Sequence, residues 1–346
     1  MQISKYDRPV PVPSATVVSP LNYALVVGPG RSGTTWLCQI LNTYDRCLLK
    51  YEPFQSMKPS PYLDWKTDIP TGDIVDLRAR FDALCQTCNS AVDMPPFLPK
   101  QFRRQNRHLL RLLFSMGKRF NALNFLYEGY GRFSLTSETT VLIKDVNFPG
   151  YLLSKLCDVL DPLTIALVRN PFATLASFYK GRDIGLHPDA ERSHLVANIR
   201  DYIDRLGDES FAQYRESLAE LSGTQLHALH WRLLVEPLVS HANTSERARV
   251  VVYEHLCQQP EITTAALFQF LGWEMGSNTR QFIADTTSGN RKSRNQQRAY
   301  FSVYRNPQSS LEKWKQQLSK SQQEDIWSIV RESPVMTLWP ELSAFI

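Results

Sequence analysis

Short apolar runs and helix-spaced apolar positions alternate along this chain. Tyr23 to Val27 (YALVV) is an unbroken apolar run of strand length. Behind a Gly-rich turn, Trp36, Leu37, Ile40 and Leu41 fall at helical spacing, so strand, loop and helix are predicted in that order. The alternation returns at TTVLIKDV, a strand ending near Lys144, then a helix around Leu152 to Leu160 and the strand LTIALV before Arg169. Pro171 opens the next helix, PFATLASFYK, at a position where its missing N–H costs nothing. Helices are expected across 190–240, another strand in ARVVVYEHL and another helix in EITTAALFQFLGW. Such a rhythm predicts an α/β fold, a P-loop-like doubly wound parallel sheet flanked by helices, with ligands at the carboxyl ends of the strands.

Two regions break the rhythm. Pro9, Pro11, Pro13 and Pro20 make residues 1–20 an extended, peripheral arm. Residues 55–135 carry Pro59, Pro61, Pro70 and the PPFLP run and read as an insertion of loops and helices within a single domain spanning 21–346. Its aromatic residues Tyr62, Trp65 and Phe97 suit an acceptor site that the insertion covers. Inside it, FRRQNRHLLRLLFSMGKRF predicts a helix with Phe102, Leu109, Leu110, Leu113 and Phe114 on one face and Arg103, Arg104, Arg107, Arg111 and Lys118 on the others. This reads as a solvated surface helix, with an anionic-substrate or membrane-surface patch as the alternative.

Composition narrows the class. The 346 residues, 43% hydrophobic and 21% charged, are ordinary globular usage, and a net charge of +5 is a modest excess. No apolar leader or membrane-length apolar run is present, so the expectation is a cytoplasmic protein without a transmembrane segment, peripheral membrane contact staying open. The cysteines at 38, 47, 85, 88, 157 and 257 are scattered. Cys85 and Cys88 form a CxxC with no second CxxC or His pair to complete a zinc site, so free thiols and no metal are expected. The Arg-rich helix lacks any recognised reading motif, and no nucleic-acid partner is expected.

Chemistry concentrates in Gly28-Pro-Gly30-Arg31-Ser32-Gly33-Thr34-Thr35, a GxxxxG loop between predicted strand and helix. Glycines let backbone amides approach a phosphate, and the helix N-terminus adds unpaired N–H groups and a positive dipole. P-loop nucleotidases follow the second Gly with Lys and a magnesium-holding hydroxyl residue. Here Thr34 stands in the Lys position and the basic residue is Arg31, which implies phosphate binding without that magnesium arrangement.

PGRSGTTWL resembles the 5'-phosphosulfate loop of the sulfotransferases, Arg31 being similar to the carbohydrate members and Thr34-Thr35-Trp36 to the cytosolic aryl and steroid members. LVRNPFATLAS resembles the family block whose Arg and Ser grip the nucleotide's 3'-phosphate, which implies that role for Arg169 and Ser177. VVYEHLCQQP resembles a late structural segment, and VYRNPQSSLEKWKQQLS resembles the C-terminal block of carbohydrate sulfotransferases. The resemblance runs from about Tyr23 to Leu318 and implies 3'-phosphoadenosine-5'-phosphosulfate (PAPS) as donor and the bisphosphate PAP as product. It further implies that Gly30, Arg31, Ser32, Gly33, Thr34 and Thr35 bind the donor, that Trp36 contacts its adenine and that Arg305 closes the site.

Transfer to a hydroxyl needs a base within hydrogen-bond reach. Aryl sulfotransferases carry a His in a KTHLP segment, whereas this chain reads Lys144-Asp145-Val146-Asn147 there. Carbohydrate members carry a Glu in a YEP segment, and Tyr51-Glu52-Pro53 is similar to it. Glu52 is therefore the expected base and Asp145 the runner-up, with Arg31 stabilising the charge that grows in transfer. Pro53 is expected to hold Glu52 extended. The implied acceptor is a hydroxyl of a glycan or glycolipid, the alternatives being a small alcohol or phenol, or a nucleotide-binding regulator without turnover. The basic stretch Gly289 to Tyr300 is expected to be a cofactor-gated lid.

Overall fold

A computed structural model describes residues 21–54, 69, 72–186, 191–288 and 311–343. The predicted arm at 1–20, part of the insertion including Tyr62 and Trp65, the stretch 289–300 and Arg305 lie outside the described residues.

The first apolar run forms β1 (Asn22–Gly28), followed by α1 (Thr34–Leu41) and β2 (Cys47–Tyr51). The insertion contributes α2 (Ile74–Cys85), α3 (Arg107–Arg119) and α4 (Asn124–Tyr130). The rhythm resumes with β3 (Thr140–Val146), α5 (Leu153–Leu160), β4 (Leu163–Val168) and α6 (Pro171–Asp183), the last capped by the Asn170 side chain. Then come α7 (Arg192–Leu206), α8 (Glu209–Ser217), α9 (Gly223–Thr244), β5 (Ala248–Val252), α10 (Tyr253–Gln258), α11 (Pro260–Phe270) and α12 (Ser277–Thr287).

The strands form a parallel sheet in the order β2-β3-β1-β4-β5. Both faces are covered, which is why β1 reads as a continuous apolar run: Tyr23, Leu25 and Val27 enter the core on one side, Ala24 and Val26 on the other. The chain leaves β1 toward β2 on one flank and β4 toward β5 on the opposite flank, so the topological switch point lies at the carboxyl ends of β1 and β4.

Two expectations are corrected. The strand predicted through ARVVVYEHL stops at Val252, because Tyr253 and Glu254 turn into α10 and face the β4 end. The basic helix starts only at Arg107, after the Asn106 cap, which leaves Phe102 outside it. Leu110 and Phe114 are buried as expected, but Leu109 faces outward, as does Leu112, which the predicted face does not include.

A buried polar tether joins the insertion to the sheet. Lys50 of β2 donates to Asp93 Oδ1 at 2.8 Å and to the Thr87 carbonyl at 2.6 Å. Asp93 Oδ2 accepts from the Tyr127 hydroxyl of α4 and from the Asn89 amide, each at 2.8 Å.

In α9, burial lowers the pKa of both His227 and His230 to about 4, with His230 and Arg182 reinforcing the effect at His227. Both are neutral in the fold and would be charged in the unfolded chain below about pH 6.5. Their contribution to stability is therefore present above pH 6.5 and lost as pH falls toward 4. The thermal midpoint should drop across that window, and His227→Gln/His230→Gln should flatten the drop; an equally steep drop in the double variant would refute this origin.

Candidate active site

The loop after β1 is shaped by close backbone approaches. A Cβ on Gly28 would lie 2.2 Å from the Leu167 carbonyl oxygen of β4, so the first glycine of the loop admits no side chain. Arg31 and Gly33 take positive φ values of 73° and 95°, turning the chain into α1. No side chain caps that helix, whose N-terminal amides stay directed toward the loop. Asn147, just past β3, braces the turn, its Oδ1 accepting from the Gly30 amide at 2.7 Å and its own amide donating to the Gly28 carbonyl at 3.0 Å.

Across the switch point the β4 block meets this loop. Arg169 donates from Nη1 to the Arg31 carbonyl at 2.9 Å, and Arg31 donates from Nε to Ser177 Oγ at 3.2 Å. Residues far apart in sequence thus converge as one cationic corner. Arg169 is buried against the Tyr253 ring, 4.7 Å from its centroid, and its Nε finds no hydrogen-bond partner among the described residues. Ser32 Oγ, fully buried in the loop, is in the same state. Unpaired buried donors beside an uncapped helix N-terminus suit an incoming anion.

Glu254 supports the corner from behind. It accepts from the Asn170 amide at 3.2 Å and the Trp339 indole at 3.0 Å, and burial raises its pKa against the lowering effects of Trp339 and Arg169.

A second corner forms where β2 and β3 end. The Lys144 ammonium donates to Glu52 Oε1, with the Lys144 side chain buried and that of Glu52 20% exposed. Lys144 also lies 4.2 Å from the Tyr51 ring centroid. Burial opposes its charge, but Tyr51 and Glu52 outweigh it and raise its pKa, so it is a cation at neutral pH. The Tyr51 hydroxyl lies 3.0 Å from Thr35 Oγ1 and ties this corner to the loop.

Glu52 is not extended, as Pro53 led us to expect, but has φ 50°. Its amide bonds the Lys144 carbonyl at 2.6 Å while Phe54, two residues on, is driven fully into the core, and the chain turns sharply between them. A left-handed non-glycine residue is backbone strain held by its surroundings. Asp145, the other candidate base, is buried and accepts from the amides of Phe54 and Val146 at 3.2 and 2.8 Å, helping to fix the same turn. Trp36 is buried, donates from Nε1 to Thr286 Oγ1 at 3.1 Å and packs α1 on α12. Thr34 is buried at the start of α1 and Gly30 and Thr35 are half-buried.

Sequence reading passed over Lys144, Tyr51, Asn147, Glu254 and Tyr253. Lys144 alone carried a signal, a lysine directly after the apolar run VLI of its strand.

A family model described as Sulfotransferase domain matches residues 22–339. No curated protein matches the chain. Among solved structures it is similar to a sulfotransferase domain from the Synechococcus PCC 7002 olefin synthase, at 15% identity and TM-score 0.44, covering 92% of this chain and 96% of that one. It is likewise similar to a sulfotransferase domain from the curacin biosynthetic pathway, at 16% identity and TM-score 0.44, covering 91% and 98%. A mouse sulfotransferase in complex with PAP is similar at 14% identity and TM-score 0.45, covering 94% and 89%.

Proposed function

Since this chain belongs to the Sulfotransferase domain family, we propose that it moves a sulfuryl group from PAPS to a hydroxyl of a glycan or glycolipid, with Glu52 as general base. The observation that carries this reading is the corner at the switch point, where Arg31, Ser177 and the buried, partly unpaired Arg169 converge beside the uncapped start of α1. The donor set fits a nucleotide with two separate anionic groups.

When bound, the donor supplies the sulfuryl group and a bisphosphate leaving group. The loop amides from Gly30 to Thr35, with Arg31, hold the 5' end, and Arg169 and Ser177 hold the 3'-phosphate. Glu52 accepts the proton of the acceptor hydroxyl, which frees that oxygen to attack sulfur in line with the leaving oxygen. Lys144 fixes the Glu52 carboxylate in the ground state. It stays cationic beside the loop, where charge develops on the departing oxygen, and so adds preorganised stabilisation to that of Arg31. Asp145 is the less suitable base because both its oxygens are engaged by backbone amides. The glycan preference rests on Arg31 and on a glutamate, rather than a histidine, at this position.

Calorimetric titration with PAP, against ATP plus magnesium, tests the nucleotide site. PAP should bind far more tightly than ATP, and Arg169→Ala should weaken it by roughly 10- to 100-fold, as expected for losing charge-assisted hydrogen bonds. Unchanged affinity in that variant would move the 3'-phosphate elsewhere.

A further inference from the structure

We propose that the α3–α4 hairpin is a docking surface for an anionic lipid membrane, on which the protein sits peripherally. The inference does not depend on the reaction assigned above.

Its first support is where the exposed apolar side chains lie. Of the eight large ones exposed among the described residues, five fall between Leu109 and Leu126. Leu112 is 56% exposed, and Phe120 and Phe125, which bracket the turn between α3 and α4, are 54% and 63% exposed. The core does not need these residues, because Leu110, Phe114 and Tyr127 already fill the contact between the two helices.

The second support is charge. From Pro95 to Ser137 there are eight Lys and Arg against the single acid Glu128, an excess larger than the +5 of the whole chain. Positive charge is thus focused on this segment and absent as a net quantity from the remainder.

Geometry then sorts the two kinds of residue. In α3, with the buried line Leu110, Phe114 and Gly117 facing inward, Leu109, Leu112 and Met116 recur at helical spacing along one flank. Arg107, Arg111 and Lys118 recur along the other. A helix lying along a bilayer surface needs this arrangement, apolar side chains reaching the acyl boundary and cations reaching anionic headgroups. A purely electrostatic surface for nucleic acid would need the cations but would leave the exposed leucines unexplained. No helix among the described residues is long and apolar enough to cross a membrane, so the contact is interfacial.

The test is co-sedimentation of the full chain with vesicles of phosphatidylcholine, with and without phosphatidylserine, at low and high salt. Binding should require phosphatidylserine and weaken with salt. Arg107→Glu/Arg111→Glu/Lys118→Glu should reduce partitioning by on the order of 100-fold or more, at about fivefold for each cation removed. Leu109→Ser/Leu112→Ser should reduce it at high salt, where the electrostatic part is screened. All five positions are exposed, and an unchanged thermal midpoint would confirm that each variant is folded. Absence of phosphatidylserine-dependent binding, or binding untouched by both variants, overturns the proposal. So does self-association in sedimentation velocity that Leu109→Ser/Leu112→Ser abolishes, which would assign the face to a second copy. Tight binding of single-stranded RNA that survives the leucine changes, without vesicle binding, would assign it to nucleic acid.

Discussion

Replacing Glu52 by Gln should lower sulfuryl transfer by roughly 10²- to 10⁴-fold, the range expected when a positioned general base is lost. PAP affinity should stay close to that of the unaltered chain, because Glu52 pairs with Lys144 while the bisphosphate contacts are assigned to the loop and to Arg169. The two readings separate the base from a mere structural brace: a brace would disturb binding and folding together. Transfer is followed with radiolabelled donor against an array of sugar and aryl hydroxyls. Should the variant turn over at the original rate, the role passes to Asp145. Asp145→Asn would then stop turnover with the fold intact, although its present bonds to the Phe54 and Val146 amides predict a loss of stability instead.

The second large effect concerns stability. Lys50 is fully buried, and its charge is compensated by Asp93, itself nearly enclosed. Asp93→Ala would leave an ammonium in the core with the Thr87 carbonyl and the face of the Phe133 ring in place of a counter-charge, and would free the Tyr127 hydroxyl. Breaking such a pair from one side costs about 3–5 kcal/mol. A shift of that size should appear as a lowered urea midpoint, and Lys50→Met in the same chain should restore much of it by removing the orphaned charge. Recovery is the decisive reading, since equal instability in single and double variants would show that packing around Tyr127, not the ion pair, holds the insertion to the sheet.

The strands were readable in the sequence because the sheet is covered on both faces and each inner strand is a plain apolar run; LTIALV became β4 with its boundaries unchanged. Arg31 and Arg169 could be nominated because each sits just past a strand end, where a parallel sheet places its ligands, and Ser177, inside α6, only because its block resembles one of the family's. What could not be read were contacts between segments. Nothing local to Lys144 says that Glu52 will lie against it, since that depends on β2 and β3 pairing side by side although the whole insertion separates them along the chain. The geometry of Glu52 was misjudged for the same reason: Pro53 biases the preceding residue locally, but the burial of Phe54 and the bond to Lys144 set its φ. The bond from the Trp36 indole to Thr286, far along the chain, likewise has no local signal. In α3 periodicity located the helix but not which apolar residues it buries, because the partner helix covers only part of the apolar arc.

The ring of Tyr253 occupies the space that a Cβ at Gly33 would need, with ring carbons 2.3 and 2.4 Å from that position, and the same ring carries Arg169. Mutational paths through this site are therefore narrow. Gly28 is walled in by backbone, so no second change can open a route for it, whereas the wall at Gly33 is a side chain that could itself be traded for a smaller one. Such a trade would still leave Gly33 with φ 95° and would strip Arg169 of its platform. Laboratory evolution aimed at a new donor should accordingly vary position 253 together with 33 and 169, because single-site libraries at any of the three would sample mostly dead variants and miss the combinations that survive.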